Sequence, residues 1–153
     1  MNKKIVVSAC LLGFKCRWDG ESRPCEKLID LYKKGEILPI CPEELGGLST
    51  PRIPSEVKCG DGSGVVKGVN FVFDKNGKDV TKNFLIGAEK AVELAKKFGA
   101  TGFLGKSKSP SCGSGCTYDG TFTGKLIKGD GVAVAFFKKN KFNILTENDI
   151  EKL

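Results

Sequence analysis

The chain has no histidine among its 153 residues. This absence excludes Ser-His and Cys-His catalytic pairs, acid–base catalysis by histidine, and zinc sites of the mixed Cys-His type. Any proton transfer therefore falls to carboxylates, lysine, tyrosine, cysteine, serine or water.

Long hydrophobic runs are also missing. No apolar stretch approaches the length needed to cross a membrane, and the run Ile5-Val-Val is too short for the core of a signal peptide. We therefore expect a cytoplasmic protein without a membrane partner. Because 40% of the residues are hydrophobic and 28% are charged, the composition is that of a globular protein, and we predict a single domain over residues 1–153.

The formal charge of +7 suits an anionic ligand. Nucleic acid is a conceivable partner, but the lysines are scattered and no dense basic run with interleaved aromatic residues occurs. We do not favour nucleic acid as the main partner on charge alone.

Seven cysteines are many for a cytosolic chain of this length. Disulfides are disfavoured in the cytosol, and an odd number of cysteines cannot be fully paired. Metal binding or thiol chemistry is therefore the better explanation for them.

Strand-like apolar runs alternate with helical patterns along the chain. This order predicts an α/β fold: one Rossmann-like domain with a largely parallel sheet, helices on its faces and an inserted β-hairpin. The predicted strands are Lys4–Leu12, Glu36–Cys41, Thr101–Gly105 and Gly131–Phe137, with Pro39 indicating an edge strand; the predicted helices are Glu26–Lys34 and Thr81–Phe98, with Thr81 as the cap. The hairpin is predicted over Val65–Val80, around the turn Asp74-Lys-Asn-Gly77, and Thr146 with Asp149 predicts a capping box that opens a short terminal helix.

Three cysteines lie at or just after the carboxyl ends of predicted strands, namely Cys10, Cys41 and Cys112. In a parallel α/β sheet these ends lie on one edge, where ligands bind, so the three thiols are expected to meet in space. An iron–sulfur cluster, a zinc ion, a redox-active thiol group and simple packing at strand ends all remain open from spacing alone.

Cys112 lies in a loop, Lys106-Ser-Lys-Ser-Pro-Ser-Cys-Gly-Ser-Gly-Cys116, whose glycines and proline allow a close approach of the backbone to a bound group. A nucleophilic role is the first interpretation of such a thiol. Since no histidine is present to activate it and two other cysteines follow strands, a role as ligand is favoured.

Three ordered blocks of sequence are similar to a known family. They are Ser8-Ala-Cys-Leu-Leu-Gly13 with Cys16-Arg-Trp-Asp-Gly20, Cys41-Pro-Glu43 with Gly46-Gly-Leu48 and Pro51-Arg-Ile-Pro54, and Ser109-Pro-Ser-Cys-Gly113 with Tyr118-Asp-Gly120 and Phe122-Thr-Gly124. Together they resemble the small bacterial and archaeal family represented by 2-thiouracil desulfurase, over nearly the whole chain. The chain departs from the family pattern at Trp18, where tyrosine is more frequent.

The resemblance implies a 4Fe-4S cluster held by Cys10, Cys41 and Cys112, with catalytic roles for Glu43 and Ser109. It further implies a small thiolated nucleobase as substrate, whose thiocarbonyl becomes a carbonyl while sulfide is released without net redox change. The alternative is a non-catalytic metal- or sulfur-binding module, possibly associated with RNA.

Several of these residues also have simpler interpretations. Glu43 suits the N-terminus of a helix, and Ser109 suits the cap of a loop. Cys16 is either a fourth ligand, a sulfur acceptor or a packing residue. Arg17, Asp19 and Arg52 either orient the substrate or pair with one another, while Cys25, Cys59 and Cys116 are interpreted as spare thiols because none follows a strand.

Overall fold

Eight short strands and five α-helices alternate along residues 3–153, the part of the chain that the computed structural model describes. The strands are β1 (Ile5–Ser8), β2 (Ile37–Ile40), β3 (Ser55–Lys58), β4 (Phe71–Asp74), β5 (Gly102–Leu104), β6 (Cys116–Tyr118), β7 (Leu126–Lys128) and β8 (Asn143–Leu145). The helices are α1 (Glu26–Lys33), α2 (Pro42–Leu45), α3 (Gly62–Val66), α4 (Thr81–Phe98) and α5 (Val132–Lys139), and two 3-10 helices span Ala9–Leu12 and Glu147–Lys152. Within this range no helix combines the length and the apolar character needed to cross a membrane.

Four strands form the central sheet in the order β2-β1-β5-β8, and every neighbouring pair is parallel. In the register, Ser8 at the end of β1 is opposite Ile40 at the end of β2, and Val7 is opposite Leu104 at the end of β5. The three strands therefore end at nearly the same level. The predicted α/β fold with a parallel sheet is confirmed, and β2, which contains Pro39, is an edge strand as expected.

Helices cover both faces of the sheet because successive side chains of a strand point to opposite faces. Val6 and Phe103 pack in one hydrophobic core with residues of α4 and α5. Their neighbours Val7 and Leu104 pack in a second core with Leu28 of α1 and the first 3-10 helix.

The segment predicted as the strand Gly131–Phe137 is instead mostly helix α5. Its apolar run is buried almost throughout, and a short, continuously apolar run fits a buried helix as well as a buried strand. The first N–H groups of α5 have partners outside the helix: Val132 and Ala133 donate to the carbonyl oxygens of Pro110 and Ser111 at 2.8 and 2.9 Å. The fourth strand of the sheet is β8.

The hairpin predicted over Val65–Val80 is also wrong in its position. The antiparallel pair is β3 with β4, and helix α3 lies between them, capped by the side chain of Asp61. The turn at Asp74–Gly77 exists, but only a single bridge between Phe73 and Asp79 follows it. A second antiparallel pair, β6 with β7, was not predicted.

The ends of two further elements differ from the prediction, and that of a third agrees with it. The first strand ends at Ser8, and the apolar run continues as a 3-10 helix. Thr81 does not cap α4, because its hydroxyl accepts a hydrogen bond from the N–H of Val72 at 2.8 Å. The capping box of Thr146 and Asp149 is confirmed, although it opens a 3-10 helix.

Two glycines allow α2 to pack directly against α4. A Cβ atom at Gly87 would overlap the carbonyl oxygen of Pro42, and one at Gly46 would overlap the carbonyl oxygen of Asn83. The Asn83 amide donates to the carbonyl of Gly46 at 2.8 Å. The long helix thus fixes the position of α2, which carries Glu43.

We expect Gly87→Ala to destabilise the protein by about 1–3 kcal/mol, as overpacking of a close contact does. Alanine forms helix better than glycine by about 1 kcal/mol, so helix propensity alone would make Gly87→Ala more stable. A lower free energy of unfolding would therefore indicate the close contact. Urea unfolding of the metal-free protein measures it. Lys90→Ala, on the exposed side of α4, is the control and should change the free energy of unfolding by less than about 0.5 kcal/mol. A Gly87→Ala protein as stable as the wild type would contradict the close packing.

Candidate metal centre and active site

The three cysteines predicted at strand ends line one cavity of about 550 Å³ at the carboxyl edge of the sheet. Cys10 lies in the 3-10 helix after β1, Cys41 directly follows β2, and Cys112 lies in the loop after β5. Cys10 and Cys112 are 6% and 4% exposed. The structure therefore brings together residues that are 31 and 71 positions apart in the chain (41 − 10 and 112 − 41).

A fourth cysteine, Cys16, lines the same cavity and is buried. Its carbonyl oxygen accepts a hydrogen bond from the Cys41 thiol at 3.6 Å. Hydrogen bonding with the Cys10 thiol, together with burial, raises the pKa of Cys16 to about 12. A hydrogen bond with Cys16 and burial likewise raise the pKa of Cys41 above its usual range. Three thiols thus form one contiguous group.

Cys112 is held by close packing of its own backbone. A Cβ atom at Gly105 would overlap the carbonyl oxygen of Cys112, and one at Gly131 would overlap the carbonyl of Ser111. Burial and the negative charge of Glu43 raise the pKa of Cys112, while hydrogen bonding with the Ser8 hydroxyl opposes the rise. Close packing at Gly105 and Gly131 therefore holds the segment of Ser111 and Cys112 in place.

Ser109 caps this loop. Its Oγ accepts hydrogen bonds from the N–H groups of Ser111 and Cys112 at 3.1 and 3.0 Å. It also lines the cavity. Since both bonds are accepted, the hydroxyl proton of Ser109 remains available for donation.

Glu43 lies in the first turn of α2 and forms an ion pair with Arg52 on the cavity wall. The guanidinium donates to Glu43 Oε2 and to the carbonyl oxygen of Cys16, each at 3.0 Å. The side chains of Arg52 and Glu43 are only 7% and 14% exposed. Burial would lower the pKa of Arg52, but the charges of Glu43, Cys41 and Glu44 and the hydrogen bond to Glu43 together outweigh it, and the pKa is raised. Breaking such a buried pair on one side costs about 3–5 kcal/mol.

The partners considered for Arg17, Asp19 and Arg52 are thereby resolved. Arg17 pairs with Asp19 at 3.6 Å, whereas Arg52 pairs with Glu43. The backbone N–H of Arg52 also donates to the carbonyl oxygen of Trp18 at 2.8 Å, so Arg52 connects the loop after the first 3-10 helix to α2.

Aromatic and basic side chains complete the wall of the cavity. The aromatic residues are Trp18, Tyr118 and Phe122, and the basic residues besides Arg52 are Arg17, Lys75, Lys106 and Lys108. Glu56 also lines the cavity, a position that the sequence does not reveal because its partners, Gly120 and Phe122, are more than 60 residues away. Cys25, Cys59 and Cys116 are not among the lining residues, in agreement with their interpretation as spare thiols.

Comparison with known proteins places this geometry in a family. The sequence model described as 2-thiouracil desulfurase matches residues 5–149. The chain belongs to the 2-thiouracil desulfurase family. It is 40% identical over 149 residues to an uncharacterized protein, YbbK, of Bacillus subtilis (strain 168). The aligned region covers 97% of this chain and 99% of YbbK.

A solved structure is similar as well. The [4Fe-4S]-dependent thiouracil desulfidase TudS superposes with a TM-score of 0.87 at 38% identity, over 99% of this chain and 95% of the TudS chain. The resemblance inferred from the three sequence blocks is thus confirmed.

Within residues 3–153, no three Cys, Asp or Glu side chains are placed to bind a single metal ion.

The raised pKa values predict the reactivity of the thiols in metal-free protein. Because the thiolate is the reactive form, Cys16, Cys41 and Cys112 should react slowly with iodoacetamide at pH 7.5, after the exposed Cys59. Raising the pH should increase the rate at Cys16 about tenfold per unit without a plateau below pH 10, since its pKa lies above that range. Peptide mass spectrometry measures each site. Alkylation of Cys112 as fast as that of Cys59 would contradict this arrangement.

Proposed function

We propose that this protein is a 4Fe-4S-dependent, non-redox desulfurase that converts the thiocarbonyl of a 2-thiouracil-like nucleobase to a carbonyl. The observation that carries the proposal is the meeting of Cys10, Cys41, Cys112 and Glu43 on the wall of one cavity. Membership of the 2-thiouracil desulfurase family and the likeness to the desulfidase TudS support it. We further propose that residues 1–153 act as one domain.

The donor set fits a cluster with three cysteine ligands. We propose Cys10, Cys41 and Cys112 as these ligands, since each follows a different parallel strand at one edge of the sheet. Cysteine thiolates from separate segments would suit such a cluster. The buried Oγ of Ser111 has no hydrogen-bond partner in the described chain, and it is placed to donate to a Cys112 thiolate. The positive charge of a bound metal would stabilise the thiolate form of these cysteines and so offset the effect of burial, which raises the pKa of Cys41 and Cys112.

When bound, a cluster with three protein ligands supplies an open iron that acts as a Lewis acid toward the soft sulfur of a thiocarbonyl. The overall reaction consumes water and releases the oxo base and hydrogen sulfide. No electron is gained or lost, so no external reductant is required.

Glu43 is the proposed general base. Arg52 bonds to Oε2, and in the part of the chain that the structure describes Oε1 has no such partner, which leaves it to accept a proton from the attacking water. The ion pair with Arg52 fixes the orientation of the carboxylate. Its place at the N-terminus of α2 is compatible with this role, because the helix and the ion pair both position it.

Ser109 is the proposed hydrogen-bond donor to the substrate. Two backbone N–H groups hold its Oγ, which orients the remaining proton. The same hydrogen bonds shape the loop around Cys112, so one side chain caps the ligand loop and lines the substrate cavity.

We propose the cytoplasm as its location. All seven cysteines are free in the structure, including Cys59 on the surface. Free thiols of this number persist in a reducing compartment.

Iron content tests the ligand set. Anaerobically reconstituted wild type should hold about four irons per chain, with the broad visible absorbance of thiolate-bound iron. Cys10→Ser, Cys41→Ser and Cys112→Ser should each lose most of this iron, whereas Cys59→Ser, an exposed cysteine outside the cavity, should keep it. Full iron content in the three cavity variants would overturn the assignment.

Sulfide release from 2-thiouracil tests the catalytic roles. We expect Glu43→Gln to lower kcat by about 10²–10⁴-fold, the usual contribution of a general base, while the iron content stays at the wild-type level. Glu44→Gln is the matched control, since this neighbour in α2 is exposed and lies outside the cavity.

For Ser109→Ala we expect a loss of activity with retained iron, compared with Ser114→Ala in the same loop, which does not line the cavity. If the Glu43 and Ser109 variants both keep wild-type kcat, the proposed roles are wrong. If the iron-loaded wild type releases no sulfide, the reaction itself is wrong.

A further inference from the structure

A loop formed by residues 118–124 lines the cavity through Tyr118, Phe122 and Gly124. None of these residues carries a group that the proposed sulfur chemistry uses. The loop connects β6 to β7, and its sequence Tyr-Asp-Gly-Thr-Phe-Thr-Gly is dense in turn-forming residues.

Glu56 on β3 anchors this loop. Its Oε1 accepts hydrogen bonds from the N–H groups of Gly120 and Phe122 at 2.9 and 3.2 Å. The residue is only 8% exposed. Burying a carboxylate is costly unless hydrogen bonds satisfy it, so the two N–H groups and the carboxylate stabilise each other.

The backbone of the loop is strained where it presents its aromatic side chain. Phe122 has φ +59°, a conformation that is unfavourable for a bulky residue. Gly120, at φ +93°, has no room for a side chain because a Cβ atom would meet the carbonyl oxygen of Val57 at 2.5 Å. Such strain persists only where surrounding interactions enforce it, and it is concentrated at functional sites.

Hydrogen bonds within the loop add to this rigidity. The carboxylate of Asp119 accepts from the N–H of Thr121 at 3.0 Å, and the hydroxyls of Thr121 and Thr123 bond to each other at 2.6 Å. Phe122 is half-buried between these exposed neighbours. The backbone that carries Phe122 is therefore held in place beside the cavity.

We infer that Phe122 is a substrate-contact residue that packs against the heteroaromatic ring, and that Glu56 is the positioning residue that holds it there. This inference rests on the proposed function, because it requires a planar base in the cavity. A flat ring contact suits a thiolated pyrimidine and its oxo product alike, since both have the same aromatic face.

Binding of uracil to the iron-loaded protein, measured by anaerobic calorimetry, tests the contact. Phe122→Ala should weaken uracil binding roughly tenfold to a hundredfold, the effect of removing one base-stacking ring, and should raise KM for 2-thiouracil more than it lowers kcat. Phe71→Ala is the matched control, since Phe71 is exposed on β4 outside the cavity and should bind uracil like the wild type. Wild-type affinity in Phe122→Ala would overturn the inference.

Hydrogen exchange tests the role of Glu56 separately. In Glu56→Ala the amides of residues 120 and 122 should exchange faster and KM should rise, whereas Glu56→Gln, which keeps an acceptor oxygen, should restore both. Faster exchange with unchanged KM and uracil affinity would reduce Glu56 to a structural residue and overturn its positioning role.

The two proposals fail in different ways. A wild type that binds uracil through Phe122 but releases no sulfide would overturn the proposed reaction and leave the ring contact supported. A wild type that releases sulfide while Phe122→Ala keeps its KM would overturn the ring contact and leave the reaction supported.

Discussion

The parallel alignment of β1, β2 and β5 is the constraint on which the site depends. Because Ser8 is opposite Ile40 and Val7 is opposite Leu104, the three strands end at one level. Each is followed by a segment that carries a cavity-lining cysteine, and the strand order changes direction beside β1, where doubly wound folds bind their ligands. The thiols are neighbours in space because β1 pairs with β2 and with β5, and the paired residues come before the cysteines in the chain.

The sequence predicts this part of the molecule well, since buried parallel strands leave a continuous apolar signal and the cysteines directly follow it. It fails at α5, whose equally apolar run is buried among α3, α4 and the Cys112 loop. It also misplaces the hairpin, because strand β3 is hidden in a Pro- and Gly-rich stretch and its partner lies beyond a helix. Both failures concern tertiary contacts that no local pattern encodes.

The residues of the site also divide into those that the sequence identifies and those whose partners only the fold reveals. Glu43 and Ser109 stand beside cysteines in the sequence, so the family resemblance identifies them together with the proposed ligands. The ion pair of Arg52 with Glu43 and the hydrogen bonds of Glu56 are invisible locally, since each joins segments that only the fold brings together. Residues that position others are therefore found from the structure, whereas residues proposed for chemistry are found from the sequence.

The cavity has two ends that are built differently. At the sheet edge, Gly105 and Gly131 pack directly against the backbone of Ser111 and Cys112, and a side chain at either glycine would overlap that segment. At the other wall, a two-stranded unit and its loop depend on one buried carboxylate, so changes there leave the central sheet intact. The sheet edge suits chemistry that needs fixed ligands, and the wall formed by β6, β7 and their loop suits discrimination among substrate rings. We therefore expect the preference for one base over another to depend on residues 118–124 and not on the proposed ligands Cys10, Cys41 and Cys112.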